Sequence, residues 1–427
     1  MQTIMICFGE NMINRILVIC FLLCLSGISF VYAEDVTIGE PFAVQIMGNA
    51  NMDQVVNEKD IEYIKGIIEG KEKKTPLADA NNDGKIDEAD ISQVEKIISG
   101  NPDTIYYVNL MGEVASVKHP LEKIIIVYDN TAEIIRILKA QNKVVGIDSM
   151  IADLPTYFPE LSTVTSIGTR NDCNFETILQ LNPDAIFIHA VGDWGCPGLE
   201  EKVKNKGIDV VRLGTWQSHT AVPSLMTMAY MLDSVGNAKN YLAYQERYLN
   251  LVRDRVATIP EDRRVRVFVD RPGDTTVSKG SGYSEAVEFA GGINIGKDIS
   301  GGFENVLPVV DSEWVVEQNP EMIIGLSWEG GYETDDINTV KTRYDEVIAK
   351  PGFSTTDAVK NGRVYITPYI NVLGPGYHIG LIQFAKWMYP DLFADIDVKI
   401  VQDEYLTNWQ YILYDLDSQG VFGYPAS

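Results

Sequence analysis

A chain of 427 residues that is 45% hydrophobic can bury a large core and has room for two or three domains. Its 60 acidic residues against 35 basic ones give a formal charge of −25, an excess that repels polyphosphates and anionic bilayers. Nucleic acid and a negatively charged membrane face are thereby excluded as partners.

Residues 1–33 read as an export signal. Arg15 precedes an apolar run over 16–28, and Val31-Tyr32-Ala33 supplies an imperfect small-residue cleavage pattern before Glu34. The run is too short and wrongly flanked for a stable membrane span. Such a signal would deliver the chain to the extracellular face of the membrane, the cell surface or the periplasm. It would leave Cys173 and Cys196 as the cysteines of the mature chain. Cys173 stands just before a predicted helix and Cys196 just after the next predicted strand, so both belong to one rim; a disulfide is predicted, with two buried thiols as the alternative.

Residues 34–104 contain a thirty-residue repeat. NANMDQVVNEKDIEYIKGIIEG from Asn49 aligns with DANNDGKIDEADISQVEKIISG from Asp79. In the second copy Asp79, Asn81, Asp83, Asp87 and Asp90 put oxygen at positions 1, 3, 5, 9 and 12 of a calcium loop. Lys85 offers its carbonyl at position 7, and Gly84 stands where the loop must turn. The first copy places Asn49, Asn51, Asp53, Asn57 and Asp60 at the same positions; Asn49 removes a charge, and Gln54 replaces the turn glycine. The segment resembles a type I dockerin, in which two loop-helix units bind calcium and dock onto a cohesin. The resemblance implies calcium as cofactor and a cohesin-bearing protein as partner. The pairs Glu58-Lys59 and Glu88-Ala89, where dockerins carry recognition residues, do not identify that partner.

From residue 105 short apolar runs alternate with helical patterns. KIIIVYD (123–129), TAEIIRILKAQ and KVVGID begin a βα order that continues to about residue 233. It resumes with RVRVFVD (264–270) and runs through RVYITPY (363–369). Between the two halves, residues 234–259 form one amphipathic helix, with Ala238, Tyr241, Leu242, Tyr248, Leu249, Val252 and Val256 on its apolar face. A repeat flanks it: ETILQLNPDAIFI from Glu176 and EWVVEQNPEMIIG from Glu313 each give helix, Asn-Pro stop and buried strand. The predicted fold class is α/β: two doubly wound lobes, 105–233 and 260–427, are joined by the long helix and preceded by a small all-α, EF-hand-like dockerin. Ligand is expected in the cleft at the carboxyl ends of the strands.

Over residues 105–427 the chain is similar to the substrate-binding proteins of ABC importers for iron(III) chelates, haem and cobalamin. HPLEKIIIV, NKVVGID, FETILQLNPDAIFI, SKGSGYSEAVEFAGGINIGKD, SEWVVEQNPEMII and AKWMYPDLFADID carry the resemblance in the family's order. It implies a receptor that passes an iron complex (siderophore or haem) or a corrinoid to an importer permease, without chemistry of its own. It further implies that Glu176 and Glu313, matching the family's motif positions, dock one lobe each onto the permease; helix-dipole stabilisation is the alternative reading of these two acids.

Segments at the strand ends carry Trp194, Trp216, Arg271, Tyr283, Trp328, Tyr369 and His378, with Tyr332 beside them. Aromatic faces suit a flat or catecholate ligand, and an arginine suits its negative charge. His189, His219 and His378 could instead form a divalent-metal site. His119, before Pro120, reads as structural. No GxxxxGKS, GxSxG or HExxH is present, so no enzyme is predicted. A structural, dockerin-borne role in a surface assembly is the other alternative.

Overall fold

The computed structural model describes residues 38–39, 41–302 and 305–425. The export-signal reading of residues 1–33 lies outside them. The thirty-residue repeat becomes two like helices, α1 (Glu58–Ile68) and α2 (Glu88–Ile98). Asn57 and Asp87 cap them through the NH of the second residue on, and Asp60 and Asp90 reach back to the cap in a closed capping box. Ile64 and Ile67 of α1, and Val94 and Ile97 of α2, turn inward to share one apolar face.

A hairpin, β1 (Thr104–Val108) with β2 (Val114–Lys118), leads into the first lobe. There β3 (Ile124–Ile126), α3 (Asp129–Ile137), β4 (Val144–Ile147), α4 (Phe175–Leu181), β5 (Ala185–Ile188) and β6 (Asp209–Arg212) build a parallel sheet in the order β4-β3-β5-β6. Helix α5 (Ala221–Met231) follows, then the connecting helix α6 (Val235–Val256). The second lobe repeats the plan. Strands β7 (Arg266–Asp270), β8 (Ile293–Asn294), β9 (Met322–Ser327) and β10 (Val364–Pro368) are parallel in the order β8-β7-β9-β10. Its helices are α7 (Tyr283–Phe289), α8 (Ser312–Gln318), α9 (Ile337–Ile348), α10 (His378–Met388) and α11 (Val398–Asn408). In each lobe the strand order reverses at the first strand, which opens a crevice at its carboxyl end.

The duplicated helix-stop-strand unit folds the same way twice. Asn174 and Asp311 accept from the NH three residues on, starting α4 and α8. Asn182 and Asn319 then end them in the left-handed region, at φ 48° and 44°, and the following proline prevents continuation. Glu176 and Glu313 are the second residue of each helix, and both are exposed.

Helix α6 keeps its predicted place, but its buried face is wider than its apolar pattern. Tyr244 and Gln245 are buried with Tyr241, Leu249 and Val252, while Leu242 and Tyr248 are half-buried. The extra positions face the second lobe: Gln245 Nε2 donates to Pro375 O at 2.7 Å, and Tyr244 Oη lies 3.1 Å from His378 Nε2. The lobes also meet away from α6. Tyr157 stacks on Tyr332 at 4.0 Å, and Glu333 accepts from the backbone NH of Tyr157 and Thr156 at 2.8 and 3.2 Å. The dockerin segment shares one apolar core with the first lobe and α6, and the described residues form a single compact unit. Cys173 and Cys196 are joined as a disulfide, with Cα atoms 5.5 Å apart, tying the turn before α4 to the loop after β5.

Candidate functional site

Between the carboxyl ends of the two sheets lies a cavity of about 350 Å³, within the range that small ligands occupy. Its walls come from the turns that topology singles out. After β3 the chain turns sharply at Tyr128, held at φ 80°, and presents Tyr128, Asp129 and Asn130. The end of β5 presents His189, and the loop after β6 presents Trp216. From the second lobe, Trp328 after β9 and Tyr369 after β10 stack on each other at 3.9 Å.

Arg170 lines the cavity from the first lobe, while Arg271 stands behind its second-lobe wall. Arg170 lies 5.1 Å from the ring centroids of both Tyr128 and Trp194. Arg271, following β7, lies 5.5 Å from Tyr369 and 5.9 Å from Trp328. Neighbouring Asp270 is already paired with Arg343 and Lys350, so Arg271 is not needed to neutralise it. The Nε atoms of Arg170 and Arg271 are buried without a hydrogen-bond partner among the described residues, although Nη1 of Arg271 donates to Thr275 Oγ1 at 3.3 Å and Nη1 of Arg170 to Met150 Sδ at 3.6 Å. Buried donors in that state favour a ligand rich in acceptors.

His189 is fixed in place: its ring stacks on Tyr128 at 3.7 Å, and Nδ1 lies 3.0 Å from Thr215 Oγ1. Burial, helped by Arg170, pushes its pKa down to about 3, so the imidazole is neutral at physiological pH. It can therefore offer a lone pair or a neutral NH to a ligand.

The structure brings Trp216, Trp328 and Tyr369 together around the cavity, with Arg271 behind the last two rings. Tyr283 does not line it; 3% exposed, it packs edge-on against Tyr369 and supports that ring. Trp194 is 45% exposed on the outer loop and flanks Arg170 instead of reaching the cavity. His378 corrects the sequence reading. It is the first residue of α10, fully buried against Tyr244, Tyr248 and Tyr405, and so cannot meet a ligand in the cleft. The predicted three-histidine metal site fails with it: His189 is in the cleft, His219, just before α5, lines a separate cavity against α6, and among the described residues no three His, Cys, Asp or Glu side chains converge to hold a metal. His119 is structural, bridging Pro102 O and Asp233. Sequence reasoning missed Tyr128, Asp129 and Arg170; position just beyond the first strand of a reversing sheet was the available signal for the first two.

In the loop 79–90, side-chain oxygens are turned inward by backbone donors. Asp79 accepts from Asp83 N and Gly84 N at 3.1 and 2.8 Å, Asn81 from Asp83 N at 3.0 Å, and Asp90 from Asp87 N at 2.9 Å. Gly84 takes φ 87°, which the loop requires. Burial, with Asp79 close by, raises the pKa of Asp90; a cation there would offset both. Asp79, Asn81, Asp83, Asp87 and Asp90 with the Lys85 carbonyl are of the donor types that calcium takes, but the carboxylates are not drawn together into a metal cluster in this structure. In the loop 49–60 the fit is poorer, because the Asn49 amide nitrogen donates within the loop to Val44 O and Asp53 O.

The sequence profile described as periplasmic binding protein matches residues 124–370, more than half of the chain, from β3 of the first lobe to just past β10 of the second. The chain belongs to the periplasmic binding protein family. A second profile, the type I dockerin domain, matches residues 48–99. Among curated relatives, the molybdate-binding protein MolA of Haemophilus influenzae is 23% identical over 68% of this chain and 83% of its own. The Fe(3+)-citrate-binding protein YfmC of Bacillus subtilis is 26% identical over 47% of this chain and 58% of its own. Among solved structures, the TroA-like periplasmic binding protein FepB of Veillonella parvula superposes with a TM-score of 0.57 at 20% identity, covering 74% of this chain and 98% of that one; the likeness is one of fold.

This periplasmic binding protein keeps buried acids beside its cleft. Glu133 on α3 accepts from the Tyr157 hydroxyl where the lobes meet, and burial raises its pKa to about 8; burial raises Asp148 to about 7. Unfolded carboxyls titrate near 4, so the folded chain holds extra protons between about pH 4 and 8 and loses stability as pH rises through that window. His189 and His378, both lowered to about 3 by burial, act oppositely: their contribution is lost as pH falls from about 6.5 towards 3. The two trends offset each other below about pH 6.5, and above it only the acids remain. The urea midpoint is therefore expected to fall between pH 6.5 and 8.5, with Glu133 contributing on the order of 2 kcal/mol. Glu133→Gln should remove most of the decline; an equal decline in the variant would exclude Glu133 as its source.

Proposed function

We propose that the chain is an exported receptor that captures an anionic iron chelate in the cleft and delivers it to an ABC importer, with no catalysis of its own. The observation that carries this reading is the pair Arg170 and Arg271. They stand one in each lobe, set against aromatic faces, with buried nitrogens that lack acceptors. A negatively charged ligand would satisfy both lobes at once, while Trp216, Trp328 and Tyr369 would cover its flat or apolar parts. Relatives named for ferric citrate and for molybdate both take anionic cargo, and the cavity volume favours the larger of these. Haem and corrinoids are the other family ligands that the aromatic walls could serve.

Delivery would use Glu176 and Glu313. Each sits at the exposed start of a helix that runs into a sheet from its carboxyl side, the side of the cleft. The dockerin would bind calcium through Asp79, Asn81, Asp83, Lys85, Asp87 and Asp90 and attach the receptor to a cohesin on the cell surface.

Tryptophan fluorescence tests the capture. Ferric citrate and a ferric catecholate should quench the full mature chain saturably, and Trp216→Phe with Trp328→Phe should remove most of that signal. Quenching that survives in the double variant would place the ligand elsewhere.

A further inference from the structure

The two calcium-type loops of the dockerin share a left-handed fourth residue, Met52 and Asn82, but part at the sixth, where Gly84 takes φ 87° and Gln54 stays outside the left-handed region, and their surroundings differ. In the second, Asn82, Asp83, Gly84 and Lys85 are exposed, and four carboxylates, Asp79, Asp83, Asp87 and Asp90, occupy donor positions. In the first, only Asp53 and Asp60 are carboxylates, and Asn49 is fully buried. Charge count is a main determinant of calcium affinity in such loops.

Asn49 shows what replaces the missing charge. Its Oδ1 accepts from Asp53 N at 3.2 Å, as Asp79 accepts from Asp83 N at 3.1 Å. Its other terminal atom differs in kind. Where Asp79 has a second oxygen, Asn49 has Nδ2, donating to Val44 O at 3.0 Å and Asp53 O at 2.6 Å. Both partners are carbonyl oxygens, which only accept, so the amide orientation is fixed by its neighbours. An NH2 group in that position offers hydrogens where a cation would need oxygen.

The rest of the first loop is committed to the body of the protein. Val44 N donates to Asp53 O at 2.9 Å, and the segment around Ile46 lies along β1, with Met47 N to Tyr106 O at 2.9 Å and Val108 N to Gln45 O at 3.0 Å. Tyr230 on α5 closes the other side: its hydroxyl accepts from Val56 N at 2.6 Å and faces Val56 O at 3.4 Å. Thr75 Oγ1 donates to Ala50 O at 2.7 Å. Protein donors thus hold the turns that an ion would otherwise organise, and Val56, Ile46 and Ala50 join the apolar core of the first lobe.

We propose that the first loop is a joint, held by protein hydrogen bonds in place of an ion, so that the intact chain binds one calcium, at residues 79–90, and carries its dockerin in a fixed orientation to the ligand cleft. The single-ion half rests on the calcium reading of the second loop; the joint does not. A cohesin-bound receptor would then present its cleft in one direction, not swing on a tether.

Two measurements on the full mature chain test this. Native mass spectrometry during a CaCl2 titration should show one equivalent, lost in Asp83→Ala and kept in Asp53→Ala. Two equivalents, or loss of the ion in Asp53→Ala, would overturn the proposal. No bound calcium would overturn the single-ion half together with the calcium reading. Hydrogen exchange tests the joint by itself: with EGTA, amides of 81–90 should exchange faster while those of 44–57 stay protected, and Tyr230→Phe should speed the latter by roughly five- to tenfold without affecting the former. Equal loss of protection in both loops on adding EGTA would overturn the joint.

Discussion

Replacing Arg170 and Arg271 together by alanine should weaken binding of an anionic ferric chelate by about 10² to 10⁴, because each guanidinium supplies a charge-assisted hydrogen bond of about 1.5–3 kcal/mol in a buried setting. The single variants should each lose about 10- to 100-fold. Arg170→Lys and Arg271→Lys keep the charge and lose the planar fork, so they should fall between wild type and alanine. Isothermal titration measures this directly, with unchanged circular dichroism confirming that the cleft is intact. The stacking of Arg170 between Tyr128 and Trp194 limits how far that side chain can move, so a lysine there should not recover the full contact. Affinity unaltered in the double alanine variant would mean that the ligand does not bridge the lobes.

Reversing both rim acids, Glu176→Lys with Glu313→Lys, should abolish uptake by a reconstituted importer and leave chelate affinity within about twofold. The separation follows from placement. Both residues are exposed at helix starts, and neither lines the cavity. Charges on the rim of an interface govern encounter and register, and one acid per lobe suits a partner with two-fold symmetry. The helix dipole also favours an acid at these positions, so each reversal should cost about 0.3–1 kcal/mol of stability. That small loss would occur whether or not the residues dock, which makes transport the deciding readout. Normal transport by the double variant would reduce both acids to helix stabilisers.

Local pattern made much of the fold legible. The Asn-Pro stops appear as left-handed Asn182 and Asn319, and the long helix begins after Ser234 as its periodicity indicates. The width of its buried face was hidden, because α6 packs against α5 on one side and α10 on the other, and only the first of these contacts leaves a simple apolar stripe. At the site, the aromatic residues Trp216, Trp328 and Tyr369 were legible because they follow strands. His378 was misplaced for the same reason: it also follows a strand in sequence, but the intervening turns at Tyr369–Asn371 and Pro375–Tyr377 carry the chain over the cleft and into a core helix. The contacts of Glu333 with Thr156 and Tyr157 join residues more than 170 positions apart, which no local periodicity encodes. The dockerin repeat was fully visible in sequence. Its union with the first lobe was not, since it depends on contacts that local pattern does not encode: the Tyr230 hydroxyl on Val56, the pairing of the Ile46 segment with β1, and a shared apolar core.

Calorimetric titration of the full mature chain with ferric citrate, a ferric catecholate, haem, cobalamin, molybdate and bare Ni²⁺ tests the central claim most directly. The account predicts one-to-one binding of an anionic ferric chelate that weakens with added salt and disappears in the double arginine variant, with no comparable heat from the bare cation. Binding of Ni²⁺ alone, with no heat from any chelate, would contradict it.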